Sequence, residues 1–171
     1  PVRDDRDLHT LTDAETVTAR PELLADLRRL SYAAAACEMV DRLSLDHVPN
    51  SRLYLCLKGV LTGIEEVATE QLETLFWNFQ LRVAEALGYR PELANCANCG
   101  TPLPAESAWF SPALGGGVCR DCGRQATDES EGQGAPEYLR ARRISADSLR
   151  LLNVLQGLRT YTREAIPAVV P

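Results

Sequence analysis

The chain has 171 residues, of which 45% are hydrophobic and 25% charged, a composition typical of a folded globular protein and not of a disordered one. Its formal net charge of -6 argues against a surface that clamps nucleic acid on every side, since such surfaces are basic. No run of 18 apolar residues occurs, so no transmembrane helix is encoded. The chain begins with Pro1 and not Met, without a signal-peptide pattern. We therefore expect a processed product or part of a longer protein.

The first 20 residues are charged and carry β-branched residues in loose alternation, over Leu8–Thr12 and Glu15–Thr18. Such alternation favours a β-strand. Twenty residues are too few for a sheet. We therefore expect residues 1–20 to be a remnant strand and a linker, whose partner strands lie elsewhere in the protein.

Three amphipathic helices are predicted to follow. Pro21 opens the first, as proline does in a first helical turn, and this helix is expected to continue to about Leu43. Ser51 is the predicted N-cap of the second helix, and the third is expected from about Thr69 to Leu87, with Gly88 as its left-handed cap. Apolar residues recur at three- and four-residue spacing in each segment. The predicted stripes are Leu23, Leu27, Leu30, Ala34 and Cys37; Leu53, Leu57, Val60, Leu61 and Ile64; and Leu72, Leu75, Phe76, Phe79, Val83 and Leu87.

Helix faces this apolar must be buried against one another, and the short loops between the helices make an antiparallel bundle the simplest packing. We expect a helical domain over residues 21–95, with the aromatic cluster of Phe76–Phe79 in its core and not on a stacking surface. Cys37 and Cys56 lie on the predicted apolar faces. They are expected to be buried packing residues.

The other four cysteines form two Cys-x-x-Cys pairs within residues 96–125. Cys96 and Cys99 are separated by nineteen residues from Cys119 and Cys122, a spacing typical of zinc sites. Each pair forms a tight turn that points two thiolates at one ion, and two such turns complete a tetrahedron. Four cysteine ligands leave no open coordination position. The spacing therefore predicts one structural Zn²⁺ per chain, whose binding energy helps to fold this zinc module.

A glycine follows each pair, and Gly100 and Gly123 are expected to adopt a positive φ beneath the metal. Between the pairs, Trp109–Val118 fits a small β-hairpin with Gly115–Gly117 at its turn. A redox role for either pair would need a strand-to-helix setting, and two disulfides would need an oxidising compartment. The sequence supports neither alternative.

The last part of the chain changes character twice. Residues 126–135 are acidic and contain no large apolar residue, so they are predicted to be a mobile loop. Residues 136–171 are expected to be a C-terminal helical segment that packs back on the bundle, with Ser145 as the N-cap of its helix. The predicted apolar residues of that helix are Leu149, Leu152, Leu155 and Leu158.

Arginines supply a second candidate feature. Residues 135–171 carry six arginines and three acidic residues, whereas the preceding part is acidic. Such a basic segment can contact phosphates, dock an acidic peptide, or form a solvated helix face. Arg120 and Arg124 beside the second cysteine pair either neutralise the excess negative charge of a zinc tetrathiolate or touch phosphate. The candidates for DNA contact are Arg120, Arg124, Arg140, Arg142 and Arg143.

No catalytic set is apparent. His9 and His47 are isolated in the sequence, and no nucleophile-elbow, zinc-protease or P-loop motif occurs. We therefore expect a protein that is not an enzyme. A disulfide-exchange enzyme is the least favoured alternative.

The order of motifs resembles that of the bacterial DNA recombination and repair protein RecO family. The resemblance covers residues 8–165 and is most specific from Phe76 to Cys122. It is carried by Leu-Ala-Asp-Leu-Arg-Arg-Leu-Ser-Tyr, Glu-Met-Val-Asp-Arg-Leu, Phe-Trp-Asn-Phe-Gln-Leu-Arg, Ala-Leu-Gly-Tyr-Arg-Pro-Glu-Leu, the first Cys-x-x-Cys-Gly, Phe110-Ser111-Pro112, Gly115-Gly116-Gly117-Val118-Cys119 and Cys122.

The resemblance implies an N-terminal OB-fold, whose end would be residues 1–20, followed by a helical domain that carries the zinc module. It also implies a cytoplasmic, nucleoid-associated mediator of recombinational repair. Such a mediator binds single- and double-stranded DNA and anneals complementary strands, and with RecR and single-strand-binding protein it helps to load RecA. The alternative is a zinc-containing protein–protein adaptor without DNA contact.

The expected fold is mainly α. It is an antiparallel helical bundle with an inserted four-cysteine zinc module, which contains a small β-hairpin, and it is preceded by the remnant strand.

Overall fold

The computed structural model describes residues 12–104, 107–125 and 140–167. Its helices are α1 (Pro21–Ala25), α2 (Leu27–Leu43), α3 (Ser51–Glu66), a 3₁₀ turn (Thr69–Gln71), α4 (Leu72–Ala86), α5 (residues 120–125) and α6 (Ala146–Gly157). Its strands are β1 (Ser107–Ser111), β2 (Gly116–Val118) and β3 (Arg142–Ser145). The fold is mainly α with one small sheet, as the sequence predicts. Within the described residues, no helix combines the length and apolarity needed to cross a membrane.

Helices α1–α4 form a bundle around one apolar core, and the predicted bundle is confirmed. Phe79 is fully buried, and Phe76 packs against it with ring centroids 5.8 Å apart. Phe76 and Phe79 therefore belong to the core, whereas Trp77, the third aromatic residue predicted to lie there, is half-buried and is not part of it. The buried residues of this core are Leu23, Ala33, Ala36, Leu53, Cys56, Val60, Ile64, Val67, Leu72, Leu75, Phe79, Val83 and Ile166.

The first predicted helix is in fact two helices. Asp26 adopts an extended conformation (φ -126°, ψ 115°) that separates α1 from α2. Its carboxylate accepts hydrogen bonds from the backbone N–H groups of Arg28 and Arg29 at 2.8 and 3.1 Å. Aspartate is a favoured N-cap because it satisfies these otherwise unpaired donors. The prediction of one continuous helix was wrong at this residue, although Pro21 does stand in the first turn of α1.

The break also changes which face of α2 is buried. Leu27 is 78% exposed and Leu30 37% exposed, and Cys37 is exposed as well. The stripe continued from Leu23 and the burial predicted for Cys37 were therefore wrong. The buried positions are Ala33 and Ala36, where small side chains let α2 approach the other helices closely.

The remaining helix boundaries follow the sequence closely. Asn50, and not Ser51, caps α3, because its side chain accepts a hydrogen bond from the Leu53 N–H at 3.0 Å. Gly88 has a φ of 87° after α4, the left-handed conformation predicted for it. Ser145 caps α6 by accepting a hydrogen bond from the Ser148 N–H at 3.1 Å.

The small sheet has the strand order β2-β1-β3, and all its pairings are antiparallel. The β1–β2 hairpin is confirmed, but only Gly115 of the three glycines lies at its turn, because Gly116 and Gly117 belong to β2. Strand β3 lies where only helical structure was expected. One face of the sheet packs on α6 and forms a second apolar cluster. Leu93, Ala108 and Leu149 are its buried members, with Leu103, Phe110, Ile144 and Leu152 packed around them.

The expected remnant strand does not form over Glu15–Thr18. Residues 12–20 contain no strand and pair with none of the three described strands. Arg20 anchors the end of this stretch to the Glu65 carboxylate and the Thr62 hydroxyl. Residues 8–11 of the predicted strand and the predicted mobile loop over 126–135 lie outside the described residues.

After α6 the chain crosses back over the bundle. Tyr161 packs against α3, where a Cβ on Gly59 or Gly63 would lie 2.7 or 2.6 Å from its side chain. Buried Gln71 donates hydrogen bonds to the carbonyls of Arg163 and Ile166. This crossing fastens residues 161–166 to the helical bundle.

Candidate metal centre and its arginine surroundings

The four cysteines of the two Cys-x-x-Cys pairs converge on one point. The Sγ atoms of Cys96, Cys99, Cys119 and Cys122 all lie within 4.8 Å of one another, and those of Cys99 and Cys119 are 3.8 Å apart. A tetrahedral site with Zn–S bonds of about 2.3 Å has S–S edges of about 3.8 Å. The four thiols therefore fit a metal ion, and the tetrathiolate set and its dimensions fit zinc.

Local backbone turns aim the sulfurs. In the first pair, the Gly100 N–H donates to the Cys96 carbonyl at 2.9 Å, and Gly100 has the predicted positive φ of 76°. In the second pair, the Gly123 N–H donates to the Cys119 carbonyl at 2.8 Å. Gly123, however, lies within α5 and not in the left-handed region. The positive φ predicted for Gly123 was therefore wrong.

Packing explains why the residue after the second cysteine pair, Gly123, is a glycine. A Cβ at Gly123 would lie 2.4 Å from Cγ of Trp109, which is closer than real carbon atoms approach. Only glycine lets the Trp109 ring lie against α5. The indole therefore joins the second cysteine pair to the sheet.

Backbone hydrogen bonds join the first cysteine pair to β2. The Ala97 N–H donates to the Gly117 carbonyl at 2.8 Å, and the Gly117 N–H donates to the Glu92 carbonyl at 2.7 Å. Hydrogen bonds from the N–H groups of Asn95 and Ala94 lower the pKa of the Glu92 carboxyl and fix this turn. Both halves of the site are thus attached to the same hairpin.

Hydrogen-bond donors surround the sulfurs. The Cys119 N–H lies 3.3 Å from the Sγ of Cys96, and the Asn98 amide lies 3.4 Å from that of Cys122. Although burial opposes ionisation of Cys96, backbone N–H groups of Cys99, Cys119 and Asn98 outweigh it and lower the pKa of this thiol to about 6. Such donors stabilise a thiolate, the form that binds metal.

The pKa values of the Cys99 and Cys122 thiols are shifted in opposite directions. The Thr101 hydroxyl, 3.1 Å from the Sγ of Cys99, lowers the pKa of that thiol. Although the Asn98 amide favours ionisation of Cys122, the thiols of Cys119, Cys99 and Cys96 together with burial raise its pKa to about 12. Four sulfurs this close resist becoming four thiolates, and a divalent cation supplies the positive charge that compensates them.

The candidate arginines do not form one surface. The register pairs Arg142 with Phe110 and Arg143 with Trp109, and successive residues of a strand point to opposite faces. Arg142 therefore shares the sheet face that packs on α6, and Arg143 shares the face that carries Trp109 and α5. Arg140 precedes the strand and is partly buried.

Arg120 and Arg124 lie four residues apart on α5, both exposed, so one side of this helix presents them together. Trp109 connects α5 to the strand face of Arg143. Within the described parts of the chain, Arg120, Arg124 and Arg143 form no ion pair. Arg140 and Arg142, in contrast, both take part in other interactions. The structure therefore places three of the five candidates, Arg120, Arg124 and Arg143, on the side of the sheet that carries α5.

A second arginine cluster was not predicted. A groove of about 320 Å³ between α3, α4 and the end of α6 is lined by Arg52, Arg82 and Arg159. Arg159 pairs with Glu85 at 2.9 Å, and Arg82 donates to the Arg159 carbonyl at 2.8 Å. The three arginines come from distant parts of the sequence, so no local motif could indicate the groove. Its other lining residues are Leu55, Cys56, Glu85 and Ala86.

A sequence profile described as the recombination protein O C-terminal region matches residues 24–141. The chain belongs to the RecO family. The resemblance found in the sequence motifs is thereby confirmed, and the match includes both cysteine pairs.

Curated relatives from several bacteria agree with this membership. The DNA repair protein RecO of Roseiflexus is 36% identical over 68% of this chain and 41% of its own length. The RecO proteins of Symbiobacterium thermophilum and Rubrobacter xylanophilus are 37% and 32% identical over 74% and 96% of this chain. They are covered over 49% and 66% of their own length. The chain thus spans about half the length of the relatives it matches. No solved structure matches it significantly.

Proposed function

We propose that this RecO-family chain serves recombinational DNA repair as a mediator without catalytic activity of its own. In this role it binds single- and double-stranded DNA and anneals complementary strands. It also helps to load RecA together with RecR and single-strand-binding protein in the cytoplasm, at the nucleoid. The observation that carries the proposal is the family membership, because the relatives at 32–37% identity are named DNA repair proteins.

The metal centre is proposed to be structural. One Zn²⁺ per chain would be held by Cys96, Cys99, Cys119 and Cys122, whose sulfurs fill all four tetrahedral positions. The ion would supply positive charge and cross-link the two cysteine pairs. The residues that bind it also fix β2 and the start of α5. Elemental analysis is expected to find one zinc per chain, and Cys99→Ser is expected to release it.

We place the DNA contact on the surface formed by Arg120, Arg124 and Arg143. These guanidinium groups are exposed, and among the residues that the structure describes none of them carries an ion pair that would have to break before a phosphate binds. A local basic surface can hold DNA even on a chain of net charge -6, because binding depends on the phosphates within a Debye length of the arginines.

A salt-dependent titration tests this surface. The triple variant Arg120→Ala, Arg124→Ala and Arg143→Ala is expected to bind oligonucleotides more weakly. The slope of log K against log salt concentration should become shallower by up to about 0.9 for each lost phosphate contact on duplex DNA, and by about 0.7 on single strands.

A control with the same change in net charge is Arg42→Ala, Arg142→Ala and Arg150→Ala. Arg42 and Arg150 pair with acidic neighbours on exposed helix faces, and Arg142 lies on the other face of the sheet. Equal losses in the two variants would mean that overall charge, and not this surface, governs binding. Unchanged binding in both variants would place the DNA contact on another surface, and no binding by the parent chain would favour the adaptor without DNA contact.

The groove of Arg52, Arg82 and Arg159 is the proposed site for the acidic, apolar tail of single-strand-binding protein. Its arginines can form ion pairs with the acidic side chains of the tail. Leu55, Cys56 and Ala86 give the groove an apolar lining for the apolar residues of the tail. Arg52→Ala is expected to weaken binding of a labelled acidic peptide that ends in an apolar residue, measured by fluorescence anisotropy. Lys58→Ala removes a charge from the same helix outside the groove and should leave binding unchanged. Equal effects would contradict this placement.

A further inference from the structure

The four sulfurs of the metal centre are unequally protected from solvent. Cys96 is 2% exposed, Cys119 and Cys122 are half-buried, and Cys99 is exposed. An oxidant that arrives from solvent therefore meets Cys99 before the other three. A difference of this kind is invisible in the sequence, where the two cysteine pairs look equivalent.

Hydrogen bonding adds to the difference. The sulfur of Cys96 is covered by the backbone N–H of Cys119, which belongs to the folded chain and cannot move away by itself. The Thr101 hydroxyl at 3.1 Å covers Cys99, and Thr101 is itself exposed. The Thr101 backbone N–H also donates to the Cys99 sulfur, but the surface hydroxyl can rotate away, so the cover of Cys99 depends partly on an exposed side chain.

A second sulfur stands ready to react with an oxidised Cys99. The Sγ of Cys119 is 3.8 Å away, and closure to a disulfide requires about 2.05 Å. We propose that Cys99 is a site of oxidative modification by peroxides, and that Cys119 resolves the oxidised sulfur as a disulfide with release of the metal. This inference rests on the proposed zinc occupancy of the site.

The reaction is balanced with hydrogen peroxide as the oxidant. The Cys99 thiolate attacks one peroxide oxygen, the O–O bond breaks, and sulfenic acid and hydroxide form. The Cys119 thiolate then attacks the Cys99 sulfur and expels the second hydroxide, so that an S–S bond forms. Two electrons pass from the two sulfurs to peroxide, and two protons from solvent convert the hydroxides to water. Cys96 and Cys122 would then be the two remaining thiolates, which would hold Zn²⁺ too weakly to retain it.

The consequence reaches the proposed DNA surface. Cys119 precedes α5, which carries Arg120 and Arg124, and the metal holds this helix start to the first cysteine pair. Loss of the ion removes that link. Peroxide is therefore expected to weaken DNA binding reversibly, with recovery after a thiol reductant and Zn²⁺ are added.

The test uses the whole zinc-loaded chain treated with hydrogen peroxide. Zinc release is followed with a chromogenic chelator, and disulfides are mapped by mass spectrometry after alkylation of free thiols. The expected result is one zinc released per disulfide, with Cys99–Cys119 as the first linkage. A first disulfide that contains Cys96 would overturn the proposal, and so would full zinc retention while exposed Cys37 becomes oxidised.

Two variants sharpen the experiment. Thr101→Val removes the hydroxyl that shields Cys99 and should raise the rate of zinc release about threefold, the effect of roughly one weak hydrogen bond. Cys37→Ser removes the exposed cysteine outside the site and should leave the rate unchanged. An unchanged rate in the Thr101 variant, or a reduced one in the Cys37 variant, would overturn the assignment. A chain that contains no zinc before treatment would overturn the metal proposal itself, whereas zinc retained under peroxide would overturn the oxidation proposal alone.

Discussion

The two glycines that follow the cysteine pairs meet different physical demands. Gly100 is needed for its left-handed backbone, with a φ of 76°, a conformation that L-residues adopt only at a cost. Gly123 is helical, and its missing Cβ leaves room for Trp109. The repeated Cys-x-x-Cys-Gly pattern correctly predicts that the four cysteine sulfurs converge, but residue identity alone does not say why each glycine is required.

Substitutions at the two glycines separate the two demands. Asparagine tolerates the left-handed region, so Gly100→Asn is expected to keep the fold and the metal affinity nearly unchanged, whereas Gly100→Val should weaken both. At Gly123 even alanine should destabilise the chain by about 1–3 kcal/mol, because the Trp109 ring must move. Urea unfolding and chelator competition measure the two quantities. A Gly123→Ala variant as stable as the parent chain would contradict the packing explanation.

At the scale of elements, helix α2 shows what a periodic pattern can and cannot predict. Its existence and its end at Leu43 follow from the sequence, but its buried face does not. The leucine spacing runs through Asp26, whose extended backbone resets the helical phase. An alanine-rich helix carries little contrast between its faces, so the partner helices decide which alanines are buried. Strand β3 shows the same dependence, since Arg142–Ser145 becomes a strand because β1 offers it backbone partners.

Two neighbouring alanines test the assigned face. Ala36 is fully buried and Ala34 is exposed, although the leucine spacing predicts the opposite. Ala36→Leu is expected to destabilise the chain by about 1–3 kcal/mol through overpacking. Ala34→Leu should change the free energy of unfolding by less than about 0.5 kcal/mol, as exposed substitutions usually do. Chemical denaturation with circular dichroism measures both. Equal effects, or a larger effect at Ala34, would contradict the structure of α2.

At the scale of the whole molecule, the described residues form two apolar clusters with one metal centre beside the smaller. The bundle core needs no metal, since its buried residues come from α1–α4 and the returning C-terminal segment. The sheet cluster has Leu93, Ala108 and Leu149 as its buried members, far fewer than the bundle core, so a bound metal is expected to contribute more to its stability. The cysteine spacing makes the metal centre predictable. The division of the arginines between the faces of β3 is not, because it depends on strand register.

Removal of zinc should therefore act on one part of the chain. After treatment with a strong chelator under reducing conditions, we expect residues 92–119 to lose hydrogen-exchange protection, because metal binding supplies folding free energy to this module. Helices α3 and α4 should keep their protection, since their core lies elsewhere, and most of the helical circular dichroism signal should persist. Cys99→Ser without a chelator should reproduce the same pattern, which guards against effects of the chelator on the bundle. The Asn78 side chain of α4 donates a hydrogen bond to the Leu155 carbonyl of α6. Simultaneous loss of protection in α3 and α4 would mean that α6 couples the two clusters into one cooperative unit.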